Sequence, residues 1–287
     1  MENILVLFLS CLSYGNEIIK TFYLNKKSGL ESRPISQNNG QECVHTTGKQ
    51  ISLPEQFTLC YRHQPMVFNY RSGLISFGKI DSSWSNLEVG IVYGNYDSGE
   101  WLGFVEGLKP ITWIPMGLHQ FTTQVWRHAC IAFDFQKATL QLYENGKKKH
   151  EEHFEKLKEI YKKLKTNMTI FTLGCAYIDN LEEDWTYAAS LFGRYADLQV
   201  FGRILSKDDM NDITGCKKIV QGDLVSWEED NWYLNGTKKT SEVEYLRFQG
   251  DICKDLSSSL HLVPFNVKGL DHGSVRVCNK LSGDVAG

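Results

Sequence analysis

Apolar and polar residues alternate along much of this chain with a period of two, most clearly in the stretch Val125 to Gly146, VWRHACIAFDFQKATLQLYENG. It reads as two strands with a turn at Phe135–Ala138, and Asn145-Gly146 closes the second. Asn-Gly tolerates positive φ at both central positions of a tight turn, so the dipeptide is a strong hairpin signal. Trp126 and Cys130 fall inside the apolar alternation, as they would in the core of a two-sheet sandwich. From Ile51 onward similar short runs recur between turn residues: QFTLCYR, LISFGKI, LEVGIVYG, WLGFVEG and ITWIPMG. Short strands at near-regular spacing predict an all-β sandwich or barrel and argue against βαβ units; the expectation is a two-sheet antiparallel sandwich. Trp84, Trp101, Trp113 and Trp126 punctuate these runs. Tryptophan in such strands packs in the core, whereas an exposed ring can stack on a sugar.

The alternation breaks between Lys147 and Lys165, where eight Lys face four Glu. Phe154, Leu157, Tyr161 and Leu164 recur there at helical spacing and share one face. This charged segment reads as a solvated helix or elongated loop laid over the sheet, or as a basic helix for an acidic glycan or partner. A strand at NMTIFTLGC follows, then the acidic stretch IDNLEEDW, then LFGRYADLQVFGRILS, in which Leu198 and Val200 alternate with Gln199 and Phe201. Ser206, with Asp208 and Asp209 just behind it, predicts one short helix: a side-chain oxygen meets free N–H groups and the acids complement the macrodipole. It should end near Thr214-Gly215-Cys216.

Composition narrows the function classes. The 287 residues suffice for one large β domain or two ordinary ones, and a net charge of −3 with mixed signs leaves no footprint for nucleic acid or an anionic membrane. Residues 1–15 carry a short apolar run followed by small residues at Ser13 and Gly15, the pattern of a signal peptide. No later segment reaches 18 consecutive apolar residues, so the expectation is a secreted protein, or the extracellular part of a longer membrane protein, without membrane insertion in these residues. Asn167 and Asn235 head glycosylation sequons. Residues 16–50 form a polar N-terminal segment, 51–237 the sandwich, and 238–287 a linker with the start of a second module. Removal of Cys11 with the leader leaves seven cysteines, an odd number, and no spacing suits a zinc cluster.

The order of these features resembles the pentraxin and laminin-G group of concanavalin-A-like jelly rolls. The pentraxin signature has the form H-x-C-x-[ST]-W-x-[ST]; His128-Ala129-Cys130-Ile131-Ala132-Phe133 keeps its His and Cys but has Ala and Phe in place of Ser/Thr and Trp. FGRYADLQVFGRILSKDDM is similar to the family's strand and short helix, and GDLVSWEEDNWYLNG to its closing strand with paired tryptophans. The resemblance runs from about Leu53 to Gly236. It implies a disulfide between Cys60 and Cys130, and laminin-G-type modules add a second that Cys175 and Cys216 would supply. SVRVCNKLSG, near the end, resembles the opening helix of C-type lectin domains. That likeness would give Cys278 a partner beyond residue 287 and leave Cys43 for Cys253; the rival pairing, Cys253 with Cys278, leaves Cys43 free.

Calcium-binding pentraxins carry a Glu-Gln-Asp run where this chain reads Cys175-Ala176-Tyr177, and an Asp-Asn pair in the region of Asn69-Tyr70-Arg71-Ser72. Those ligands are not carried over. Asp179, Asn180, Glu182, Glu183 and Asp184 follow closely and offer oxygen ligands of the kind Ca²⁺ prefers, although solvent also relieves such repulsion. Trp185 beside them could stack on a sugar face.

Catalysis is not expected. Glycan hydrolases on this fold need two carboxylates flanking the scissile bond, and their E-x-D-x-E pattern is absent, as are GxSxG and HExxH. The main expectation is a recognition module for a glycan or extracellular protein within a larger adhesion, receptor or defence protein. The alternative is a structural spacer or a homo-oligomerising domain without a small ligand.

Overall fold

In the computed structural model the described residues are 17–24, 43–46, 51–65, 71–80, 87–96, 99–106, 109–117, 125–165, 169–174, 193–214, 220–227, 232–235 and 242–248. Every alternating run of the sequence forms a strand. Ahead of them lie β1 (Glu17–Leu24) and β2 (Cys43–Thr46). The runs themselves become β3 (Gln56–Pro65), β4 (Arg71–Ile80), β5 (Leu87–Tyr96), β6 (Gly99–Glu106) and β7 (Lys109–Gly117). The opening hairpin is β8 (Arg127–Asp134) and β9 (Thr139–Glu144). Then come β10 (Lys147–His153), helix α1 (Leu157–Leu164), β11 (Ile170–Leu173), β12 (Gly193–Phe201) and helix α2 (Lys207–Thr214). The last strands are β13 (Trp232–Asn235) and β14 (Glu242–Phe248).

Two seven-stranded antiparallel sheets result, with orders β10-β9-β8-β3-β12-β1-β14 and β13-β2-β11-β4-β5-β6-β7. Strand β1 pairs with both β12 and β14, so chain from residues 16–50 and from beyond residue 237 extends the first sheet. This is the all-β jelly-roll sandwich expected from the sequence.

One segment is corrected. Lys147–His153 belongs to the charged stretch given as helix or loop, yet it forms β10 and pairs along β9. The cause is the Asn145-Gly146 turn, where φ is +50° and +74°, the left-handed pair that returns a strand along its predecessor. Helix forms only after Lys156. Its residues Leu157, Ile160 and Leu164 are buried, while Tyr161 stacks on Phe135 at 4.7 Å and donates its hydroxyl to the Leu53 carbonyl at 3.0 Å. The segment is thus a charged edge strand followed by a helix docked on its apolar face.

The space between the sheets differs at its two ends. Beneath α1 it is aromatic: Phe57 stacks on Phe133 at 4.7 Å and meets Phe77 edge-on, and Phe77 stacks on Phe171. Gly78 faces Gly90 across the β4–β5 ladder, and a Cβ there would lie 2.2 Å from the Val89 carbonyl oxygen, so these backbones can approach only without side chains. Strands β3 and β8 are buried along nearly their whole length, on both faces. The inner face meets the second sheet. The outer face lies under α2, where Cys60, Cys130, Phe201, Leu205, Met210 and Ile213 form a second apolar cluster.

Candidate functional site

Cys60 and Cys130 are direct partners in the β3–β8 ladder and are joined by a disulfide, with Cα atoms 4.1 Å apart. The bridge expected from the family resemblance is therefore present, and α2 rests on it. Ser206 holds the start of that helix by a capping box: its hydroxyl accepts from the Asp209 N–H at 3.1 Å and donates to the Asp209 carboxylate at 2.9 Å. Arg62 holds the other end. Its Nη2 donates to the Ile213 carbonyl at 2.6 Å while its Nε is 3.0 Å from the Asp197 carboxylate. Asp197 takes a positive φ at a bulge in β12, which turns its carboxylate toward the arginine. His128 Nδ1 lies 2.7 Å from the Thr214 hydroxyl, and burial, with Arg62 nearby, drives its pKa well below the ordinary histidine value.

Cys60, His128 and Cys130 also bring three potential metal ligands within 4.8 Å of one another. The two sulfurs are bonded to each other and offer no thiolate, and the set lacks the oxygen donors that Ca²⁺ takes. It fits a disulfide core and not a cation.

A second polar group lies on the inner face, at the end of the sandwich opposite the aromatic core. Arg127, His63 and Tyr195 are register neighbours across β8, β3 and β12. Tyr61 is two residues before His63 on the same face, and its ring stacks on His63 at 5.3 Å and on Tyr195 at 6.4 Å. From the other sheet comes Glu100, which accepts the Tyr93 hydroxyl hydrogen bond. Arg127 Nη1 lies 3.7 Å from Glu100 and 3.3 Å from Glu144, so one guanidinium links the two sheets by charge. Burial, then the charge of Arg127, pushes His63 down to about 3. Burial raises the phenols of Tyr61, Tyr93 and Tyr195.

This polar end is also where the candidate recognition segments attach. β3 ends at Pro65, β4 starts at Arg71, β11 ends at Leu173 and β12 starts at Gly193, all at the same end as Arg127. The chain between Leu173 and Gly193 joins an interior strand of one sheet to an interior strand of the other. That connection holds Asp179, Asn180, Glu182, Glu183, Asp184 and Trp185, which lie outside the described residues. So do Cys175, Cys216, Cys253 and Asn167. Cys43 and Asn235 begin β2 and end β13, where they are register partners. Of the tryptophans, Trp126 is buried, Trp101 is half-buried, and Trp227 packs against Trp232 at 4.6 Å and accepts its indole N–H through the main-chain carbonyl.

The sequence reading did not find Tyr61, His63, Arg127, Tyr195, Glu100 or Asp197 as site residues. The only signal available was the placement of His and Arg at alternating positions inside two otherwise apolar strands.

No family model matches the chain, and no curated protein matches it. Similarity lies in solved structures. A native heptameric SAP-like pentraxin from Limulus polyphemus superposes with a TM-score of 0.54 at 16% identity, covering 83% of this chain and 98% of that one. A putative carbohydrate binding protein from Bacteroides ovatus has a TM-score of 0.47 at 12% identity, covering 80% of this chain and 60% of its own. The CBM40 of a Ruminococcus gnavus IT-sialidase, bound to α2,3 sialyllactose, has a TM-score of 0.43 at 19% identity, covering 64% of this chain and all of that one. With two antiparallel sheets, a bridge between β3 and β8 and a short helix over it, this chain has the pentraxin/laminin-G-like jelly-roll fold.

Proposed function

We propose that this protein is a non-catalytic extracellular recognition module that binds a glycan through the connection between β11 and β12. The observation that carries the reading is topological: the chain that holds the acidic residues and the adjacent tryptophan leaves one interior strand of each sheet, at the end braced by Arg127. A segment whose two ends leave rigid strands can carry specificity while the sandwich holds those ends in place. Asp179, Asn180, Glu182, Glu183 and Asp184 would hold Ca²⁺ through oxygen, and Trp185 would stack on a sugar face. Calcium, when bound, would neutralise the carboxylates and accept sugar hydroxyls. The pentraxin-like fold is compatible with this role and does not by itself assign it. Secretion after removal of residues 1–15, glycosylation at Asn167 and Asn235, and the Cys175–Cys216 and Cys43–Cys253 bridges belong to the same reading.

Calorimetric titration of the chain from residue 16 onward with Ca²⁺ tests the cation site. Saturable heat that Asp179→Ala and Glu183→Ala abolish supports it; no heat from a folded protein rejects it. A second reading, homo-oligomeric assembly, draws on the heptameric state of the Limulus pentraxin. Sedimentation velocity distinguishes a closed oligomer from a monomer.

A further inference from the structure

The inner polar group contains more hydrogen-bonding capacity than the described side chains use. The Tyr61 and Tyr195 hydroxyls and both ring nitrogens of His63 are fully enclosed and have no hydrogen-bond partner among the described residues. The residues themselves are 0%, 0% and 2% exposed. Their rings stack as one group, with centroids 5.3 to 6.4 Å apart, so the unused atoms belong to a single neighbourhood and not to scattered defects. Beside them stand the Tyr93–Glu100 hydrogen bond and the Arg127 charge.

A buried polar atom left unpaired is destabilising by more than the bond it lacks, and the large majority of buried side-chain polar atoms in folded proteins find protein or ordered water. Four in one place point to a shared remedy. We infer that Tyr61, His63 and Tyr195 line an internal site for ordered water between the two sheets.

Water suits the donor set. A neutral imidazole presents one donor and one acceptor on opposite sides of its ring, and each phenol can do both, so waters, each with two donors and two acceptors, can satisfy all four atoms. An anion would meet Glu100 and Glu144 across the site, and Arg127, the cation beside it among the described residues, already faces both carboxylates. The waters would connect β3 and β12 to β5 and β6 by hydrogen bonds, and so add to the Arg127–Glu100 link beneath the strand ends that carry the acidic connection.

The test combines a high-resolution crystal structure of the intact chain with melting of two variants, Tyr61→Phe and Tyr195→Phe. The expected result is water density within hydrogen-bond range of at least two of the four atoms. Each variant should then melt a few degrees lower, about 2–4 °C for each bond worth about 1 kcal/mol. A dry interior, with either variant melting at or above the parent temperature, overturns the inference, because deleting an unsatisfied hydroxyl relieves the fold. Density for a polyatomic guest, or direct side-chain hydrogen bonds that consume these atoms, overturns it too.

Discussion

His63 and Arg127 face each other across the β3–β8 ladder on its inner side, and one rung along Arg62 faces His128 on the outer side. Both arginines have carboxylate partners: Asp197 outside, and Glu100 with Glu144 inside. Among the described residues the imidazoles have none. Thr214 stands against His128, and Tyr61 and Tyr195 stand against His63. Two adjacent rungs at the centre of a sheet therefore tolerate two positive charges and not four.

Acid should destabilise the fold through these groups. His63 is held at about 3 and His45 at about 4, and His128 well below its ordinary value, against about 6.5 in the unfolded chain. Well above pH 6.5 all three are neutral in both states and stability is flat. As pH falls through 6.5 the unfolded chain takes up protons that the folded chain refuses, and stability falls. Between pH 7 and pH 5 the loss should be roughly 2 kcal/mol for each of His45 and His63. Urea midpoints across that range measure it, and His63→Gln should make the fall shallower.

Removing Arg62 should cost more than removing an exposed arginine. Arg62→Met leaves Asp197 without its charged partner and the Ile213 carbonyl without its donor, both at the seat of α2. Breaking one side of a buried pair destabilises by roughly 3–5 kcal/mol. Chemical denaturation should show that loss, whereas replacing Lys148 of the exposed Lys148–Glu151 pair by Ala should change stability far less.

The Cys60–Cys130 bridge closes a loop with a sequence separation of 70. Replacing both cysteines by Ala should lower stability by roughly 2–5 kcal/mol, chiefly by freeing the unfolded chain. Denaturation of the double variant, and of the parent under reductant, should show similar losses.

Gly78 and Gly146 should differ in how they tolerate a methyl group. At Gly146 the added Cβ meets the Asn211 side chain, which can move, and the main cost is the positive φ, about 1–2 kcal/mol. At Gly78 the Cβ meets backbone atoms of Val89 and Gly90, which cannot yield without opening the β4–β5 ladder. Gly78→Ala should cost about 3 kcal/mol or more, and thermal melts of the two variants compare them directly.

What was legible in the sequence follows from period and local chemistry. The Asn145-Gly146 turn, the Ser206 cap and the inward and outward alternation of Leu198 to Phe201 are local signals, and the fold uses each of them. Strand β10 escaped because Lys147–His153 is polar on both faces, so no alternation shows; the hairpin turn and the edge position make it a strand. The inner polar group escaped for a different reason. Tyr61 reads as an apolar core position and His63 and Arg127 as surface positions, and only the sheet-on-sheet packing puts them in one buried place with Glu100 and Tyr195. The acidic connection was legible as ligand chemistry alone, since sequence fixes the residue types and not their arrangement.

The most direct test of the proposed recognition role is a glycan array probed with the chain from residue 16 onward, in Ca²⁺ and again in chelator. The account predicts retention on a defined set of glycans that chelator removes and that Asp179→Ala and Trp185→Ala each reduce at least tenfold, equal to about 1.4 kcal/mol. A folded protein retained on no glycan in either condition would contradict it and leave the sandwich as a protein-binding or spacer domain.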